Sequence, residues 1–78
     1  MRITIKLYAM LRSYLRQEKD GAGPLDVPEG ATIEEVLTGL GLPEKMPKIV
    51  QINGEQKSLS DSLTDGDILS VFPPMAGG

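Results

Sequence analysis

Residues 2–8 alternate: Ile3, Ile5 and Leu7 face one way, and Arg2, Thr4, Lys6 and Tyr8 face the other. A period of two with one apolar side predicts a strand with one buried and one wet face. The period then changes. In Met10–Arg16, Leu11, Tyr14 and Leu15 fall at i, i+3 and i+4, one face of a short helix. Glu18 through Pro24 is polar and glycine-rich, which predicts a loop. Leu25-Asp26-Val27 alternates again as a short strand, ended by Pro28 with Glu29-Gly30 as a turn.

The strongest helix signal follows. Ile33, Val36, Leu37 and Leu40 stand at i, i+3, i+4 and i+7, and Thr32 precedes Glu35 by the three residues of a capping box. Gly41 sits where a left-handed residue closes a helix, so the expected span is 33–40. Residues 48–52 read as a buried strand. Asn53-Gly54 predicts a two-residue hairpin, because a type I′ turn needs positive φ at both central positions. Glu55-Gln56-Lys57 returns as a short strand, Asp65-Gly66 turns the chain, and residues 67–72 form the last strand. Pro73-Pro74 cannot donate ladder hydrogen bonds, so the sheet ends there. The order predicts an α+β fold: a mixed sheet with one main helix packed on one face and a short helix after the first strand. The expected organisation is one domain over residues 1–74 and a flexible tail over 75–78.

Composition narrows the chemistry. A chain of 78 residues is one domain with one small core, and 40% apolar with 24% charged residues is a globular balance. There is no cysteine and no histidine, which removes disulfides, thiol nucleophiles, imidazole bases and the common zinc ligand sets. The expectation is therefore no metal site, and the lack of cysteine suits a cytoplasmic location. No apolar run approaches a membrane span, and the N-terminus lacks the pattern of a signal peptide. Eight basic residues are scattered against eleven acidic ones, net −3, with 4% aromatics. That argues against nucleic acid as a partner.

Few side chains remain for chemistry. Asp61, Asp65 and Asp67 lack the spacing, central glycine and closing glutamate of a calcium loop and read as turn residues. Glu34 and Glu35 are adjacent on a helix and cannot face each other. Gly21-Ala22-Gly23 precedes a strand rather than a helix, so it is no phosphate loop. The end of the sequence is different: Gly77-Gly78 follows Pro73-Pro74. One reading is a frayed end or a cloning remnant. The other makes the terminal carboxylate the functional group. A Gly-Gly segment threads a channel one backbone wide, and proline at its root lowers the entropy lost on insertion.

Several segments stand in a telling order: Leu7-Tyr8-Ala9-Met10-Leu11-Arg12, Val27-Pro28-Glu29-Gly30-Ala31-Thr32-Ile33, Ile52-Asn53-Gly54-Glu55, and Leu63-Thr64-Asp65-Gly66-Asp67 on through Phe72-Pro73-Pro74-Met75-Ala76-Gly77-Gly78. Together they resemble the MoaD/ThiS family of ubiquitin-like sulfur carriers, and most of all its MoaD branch, the small subunits of molybdopterin synthase. The resemblance implies a ubiquitin-like β-grasp fold. It implies that Gly78 is adenylated by a MoeB-like activating enzyme that uses ATP, and is then converted to a thiocarboxylate. The carrier itself would bind no cofactor. It further implies that Gly77 and Gly78 thread the partner's channel, while Phe72, Pro73, Pro74, Met75 and Ala76 form the interface. The partner would be a MoaE-like large subunit that holds the catalytic residues in a heterotetramer and accepts sulfur onto cyclic pyranopterin during molybdenum cofactor biosynthesis. The alternatives are a carrier for thiamin thiazole or cysteine synthesis, a ubiquitin-like protein modifier, or a plain β-grasp interaction domain. Phe72 at the root of the tail is the expected anchor, on the sheet face opposite the helix.

Overall fold

The computed structural model describes residues 1–14 and 21–74. The expected tail at 75–78, with Met75, Ala76, Gly77 and Gly78, lies outside the described residues, as do Leu15 and Arg16 of the expected first helix. Five strands form one mixed sheet: β1 (Arg2–Leu7), β2 (Ala22–Asp26), β3 (Ile49–Ile52), β4 (Glu55–Lys57) and β5 (Ile68–Phe72). Their order across the sheet is β2-β1-β5-β3-β4. The central pair, β1 and β5, is parallel, and the other pairings are antiparallel. One helix, α1 (Ile33–Gly39), covers one face of the sheet, which is the expected β-grasp arrangement.

The core lies between that face and α1. Ile3, Ile5 and Leu7 of β1 and Leu69 and Val71 of β5 are buried against Ile33, Val36 and Leu37 of α1. Register places residues of the other parity on the open face: Lys6 beside Ser70, Gln51 beside Ser70, and Ile49 beside Phe72.

The local signals for α1 act as expected. Thr32 Oγ1 accepts from the Glu35 N–H, and Glu35 Oε1 accepts from the Thr32 N–H at 2.9 Å. The helix ends one residue earlier than its apolar pattern. Leu40 is the C-cap, Gly41 has φ 93°, and the N–H groups of Gly41 and Leu42 donate to the carbonyls of Thr38 and Leu37. That paired closure uses both orphan carbonyls and buries Leu42. Asn53 and Gly54 have φ of 53° and 86°, the two positive values of the hairpin turn.

The short helix expected after β1 is present as a 3-10 helix over Ala9–Tyr14. Its turn takes three residues, so Leu11 and Tyr14 eclipse each other, and only Leu11 is fully buried. One expectation needs correction. Ala22-Gly23-Pro24 belongs to β2, whereas the loop was expected to run through Pro24. Glycine and proline are tolerated because β2 is the sheet's edge. Pro24 stands opposite Thr4, where a missing N–H costs no ladder bond.

Candidate functional site

Hydrogen bonds account for the acidic turn. The Ser58 N–H donates to Asp61 Oδ2, the Arg2 N–H to Asp65 Oδ1, and the Thr64 N–H to Asp67 Oδ2, each at 2.8 Å. Asp67 also accepts from Asn53 Nδ2, so these carboxylates tie turns together. Among the described residues no group of three or more His, Cys, Asp and Glu has the arrangement to hold a metal ion.

The end of β5 is more distinctive. Leu69 and Val71 point into the core, so Phe72 emerges on the open face of the sheet. Phe72 and Pro73 are half-buried and Pro74 is exposed. Because β1 and β5 run parallel with Leu7 beside Val71, the next residues, Tyr8 and Phe72, are neighbours. Their rings stack with centroids 4.3 Å apart and planes inclined by 14°. The Tyr8 N–H continues the ladder by donating to the Val71 carbonyl at 3.1 Å. Ile49 lies across from Phe72 on β3. Tyr8 is 40% exposed, so an apolar patch of Tyr8, Phe72 and Ile49 surrounds the point where the chain leaves the sheet.

Two cations border the patch. Lys6, Tyr8, Ala9, Arg12 and Gly21 contribute to a hollow of about 330 Å³. The aliphatic stem of Arg12 lies over Gly21, where a Cβ would come within 2.5 Å of both Arg12 Cγ and the Leu7 carbonyl. Gly21 also has φ 71°, so glycine is required there. Arg12 Nε donates to the Ala9 carbonyl at 3.3 Å. Among the described residues the ion pairs are Arg2–Asp26 at 2.9 Å and Lys57–Glu55 at 3.4 Å, and neither involves Lys6 or Arg12.

Of the expected site residues, the structure brings Phe72, Pro73 and Pro74 together at the end of β5, while the remaining four lie outside the described residues. Sequence reasoning missed the stack partner. Tyr8 ends a row of polar residues, and an aromatic closing such a row was the one available signal.

Comparison with known proteins follows the same lines. The structure matches SAMP1 from Haloferax volcanii at 25% identity over the full length of both chains, with a TM-score of 0.70. It matches a chain of the complex of subunits 1 and 2 of the molybdopterin-converting factor from Helicobacter pylori at 21% identity, again over both full lengths, with a TM-score of 0.63. A third match is to the BexX/CysO complex of Amycolatopsis orientalis, at 24% identity over 97% of this chain and 99% of that one, with a TM-score of 0.66. A sequence comparison with curated proteins finds no match. The model of the ThiS family matches residues 7–78, from the last residue of β1 through the helix and the remaining strands to the terminal Gly-Gly, and the chain belongs to that family.

Proposed function

We propose that this chain is a sulfur carrier that works through Gly78, and that it serves as the small subunit of a molybdopterin synthase. The observation that carries the reading is the end of β5. The chain leaves the central strand through Pro73 and Pro74, four residues before Gly77-Gly78 in sequence, and it leaves at an apolar patch with two cations beside it. A carboxylate is a poor acyl donor, so it needs activation. In the proposed sequence the Gly78 carboxylate attacks the α-phosphate of ATP held by a MoeB-like enzyme, and pyrophosphate leaves. A persulfide sulfur from a separate donor then displaces AMP to form an acyl disulfide. A thiol of the donor system attacks the donor-side sulfur, forming a disulfide with it and releasing the thiocarboxylate. The ionised thiocarboxylate is a softer nucleophile than the carboxylate it replaces. Carried into a MoaE-like large subunit, it gives sulfur to cyclic pyranopterin. The carrier supplies the tail and the docking surface, and the catalytic groups belong to its partners in the cytoplasm.

Support for a partner-docking carrier comes from the matches to the Helicobacter pylori and Amycolatopsis orientalis proteins, both solved as complexes. The test incubates the protein with ATP, a sulfur source and a MoeB-like enzyme, and reads intact mass. Exchange of one terminal oxygen for sulfur is expected, and the product should convert cyclic pyranopterin to molybdopterin with a MoaE-like subunit. An unchanged mass with several such enzymes would overturn the carrier reading. Thiazole formation without molybdopterin would overturn only the pathway. Likeness to SAMP1, a small archaeal modifier protein, favours a second reading in which the activated Gly78 is transferred to lysine side chains. Lysine-linked conjugates found by mass spectrometry after activation would select it.

A further inference from the structure

Gly39 stands in the last turn of α1 with a helical backbone, and a Cβ built on it meets nothing within 4 Å. Neither a positive φ nor a close neighbour within the chain accounts for glycine there, and alanine is the better helix former. Gly39 lines a groove of about 380 Å³ between α1 and β2, bounded by Leu25 and Val27 on one side and Val36 and Leu40 on the other. That volume is in the range of ligand-binding clefts, ~300–1,000 Å³.

The strand beside the groove is an open edge, because β2 is the outermost strand next to β1. Val27 exchanges both backbone hydrogen bonds with Met1, at 2.9 and 2.8 Å. Antiparallel pairing alternates, so the N–H and C=O of Asp26 face away from β1. Pro24 offers no N–H and stops further pairing along the edge. An extended backbone can therefore take one pair of hydrogen bonds at Asp26 while its side chains enter the groove. The missing Cβ of Gly39 leaves room for its close approach. The groove's charge is one-sided: Asp26, Glu29 and Glu35 contribute to the lining and no lysine or arginine does, with Arg2 pairing Asp26 from outside it.

We infer that this groove docks an extended segment of another protein, one that carries aliphatic side chains next to lysine or arginine. Asp26 pairs with Arg2 at one end of β1, and the Tyr8–Phe72 stack lies at the other end. Six residues of strand separate them, roughly 20 Å. A segment held in the groove thus leaves the surface around the tail free, and the site is independent of the sulfur-carrier reading.

The experiment is an amide chemical-shift titration of the full chain, without activation or sulfur, using the peptide Lys-Lys-Val-Ile-Val-Ile-Lys and a version with glutamate in place of every lysine. Shifts confined to residues 25–31 and 36–40, weaker by several-fold with the glutamate peptide, are expected. Gly39→Leu should abolish them while its own spectrum stays folded. Gly39→Ala should raise Tm and weaken binding together, a split that a purely structural glycine does not produce. No shifts at millimolar peptide, shifts centred on Tyr8 and Phe72, or an unchanged affinity for Gly39→Leu would each overturn the proposal. Groove shifts that grow with protein concentration in the absence of peptide would assign the groove to a second copy of the chain, and would also overturn it.

Discussion

Phe72→Ala removes half of the stack that marks the end of β5, and two magnitudes decide whether it is informative. A fully buried Phe→Ala change costs ~3–5 kcal/mol, but Phe72 lies on the open face and keeps part of its surface in water. About half of that, ~2 kcal/mol including the stack with Tyr8, is the expected loss of folding stability. For a domain this small the loss lowers Tm by roughly 8–16 °C. Against a total of roughly 4–12 kcal/mol for 78 residues, the protein stays folded near room temperature. Affinity for a MoaE-like subunit can then be measured on a native chain. An aromatic at the centre of a docking patch is a hot spot worth ~2–4 kcal/mol, so Kd should rise roughly 30- to 1,000-fold. Denaturant unfolding of wild type, Phe72→Ala, Tyr8→Ala and the double variant would complete a stability cycle, with isothermal titration of the same proteins giving the affinities. A coupling of ~0.5–1.5 kcal/mol in stability is expected from the stacked pair. If Phe72→Ala binds as tightly as wild type, the patch is not the docking surface and the reasoning fails, whatever happens to Tm.

Other expectations are simpler to check. Gly77→Ala should leave thermal unfolding nearly unchanged and sharply reduce sulfur transfer; parallel losses would show that the tail packs on its own domain. Thr32→Ala should cost ~1 kcal/mol in denaturant unfolding by removing the N-cap. Acid should act on the same cap. Hydrogen bonds from Thr32 hold the Glu35 carboxyl below its usual 4.5, and the hydrogen bond from Arg2 does the same for Asp26. Because both folded-state values are lowered, their stabilisation is complete above the ordinary carboxylate range and is lost as pH falls through that range and below. A urea midpoint that stays constant from neutral pH to below pH ~3 would contradict this assignment. The Lys6→Glu, Arg12→Glu double variant should slow association with an acidic partner surface and flatten its salt dependence, read by stopped flow, with little change in Tm.

The elements legible in the sequence are those whose cause is local. Thr32 and Glu35 cap within three residues, Asn53-Gly54 turns within two, and Gly41 closes a helix with its own carbonyls. The errors fall where a distant strand decides. Ala22-Gly23-Pro24 has loop composition, yet β1 recruits it because an edge position forgives both glycine and proline. The stack of Tyr8 on Phe72 joins residues from opposite ends of the chain, and it exists only because β1 and β5 run parallel in one register. The end of β5 at Phe72 was legible because Pro73-Pro74 cannot extend a hydrogen-bonded ladder. The surface around it was not, since Ile49 and Tyr8 reach it from distant parts of the chain.

The central position of β5 also has a consequence for timing. Its neighbours are β1, made first, and β3, and both edges of its ladder stay open until the last residues of the domain are available. Pairing the first strand with the last closes the longest loop in the chain, and contacts of that range dominate folding time. A protein still being synthesised therefore has no finished docking patch to offer. An activating enzyme that must grip Tyr8 and Phe72 together before it reaches the terminus would test, in the same act, whether the whole domain has closed.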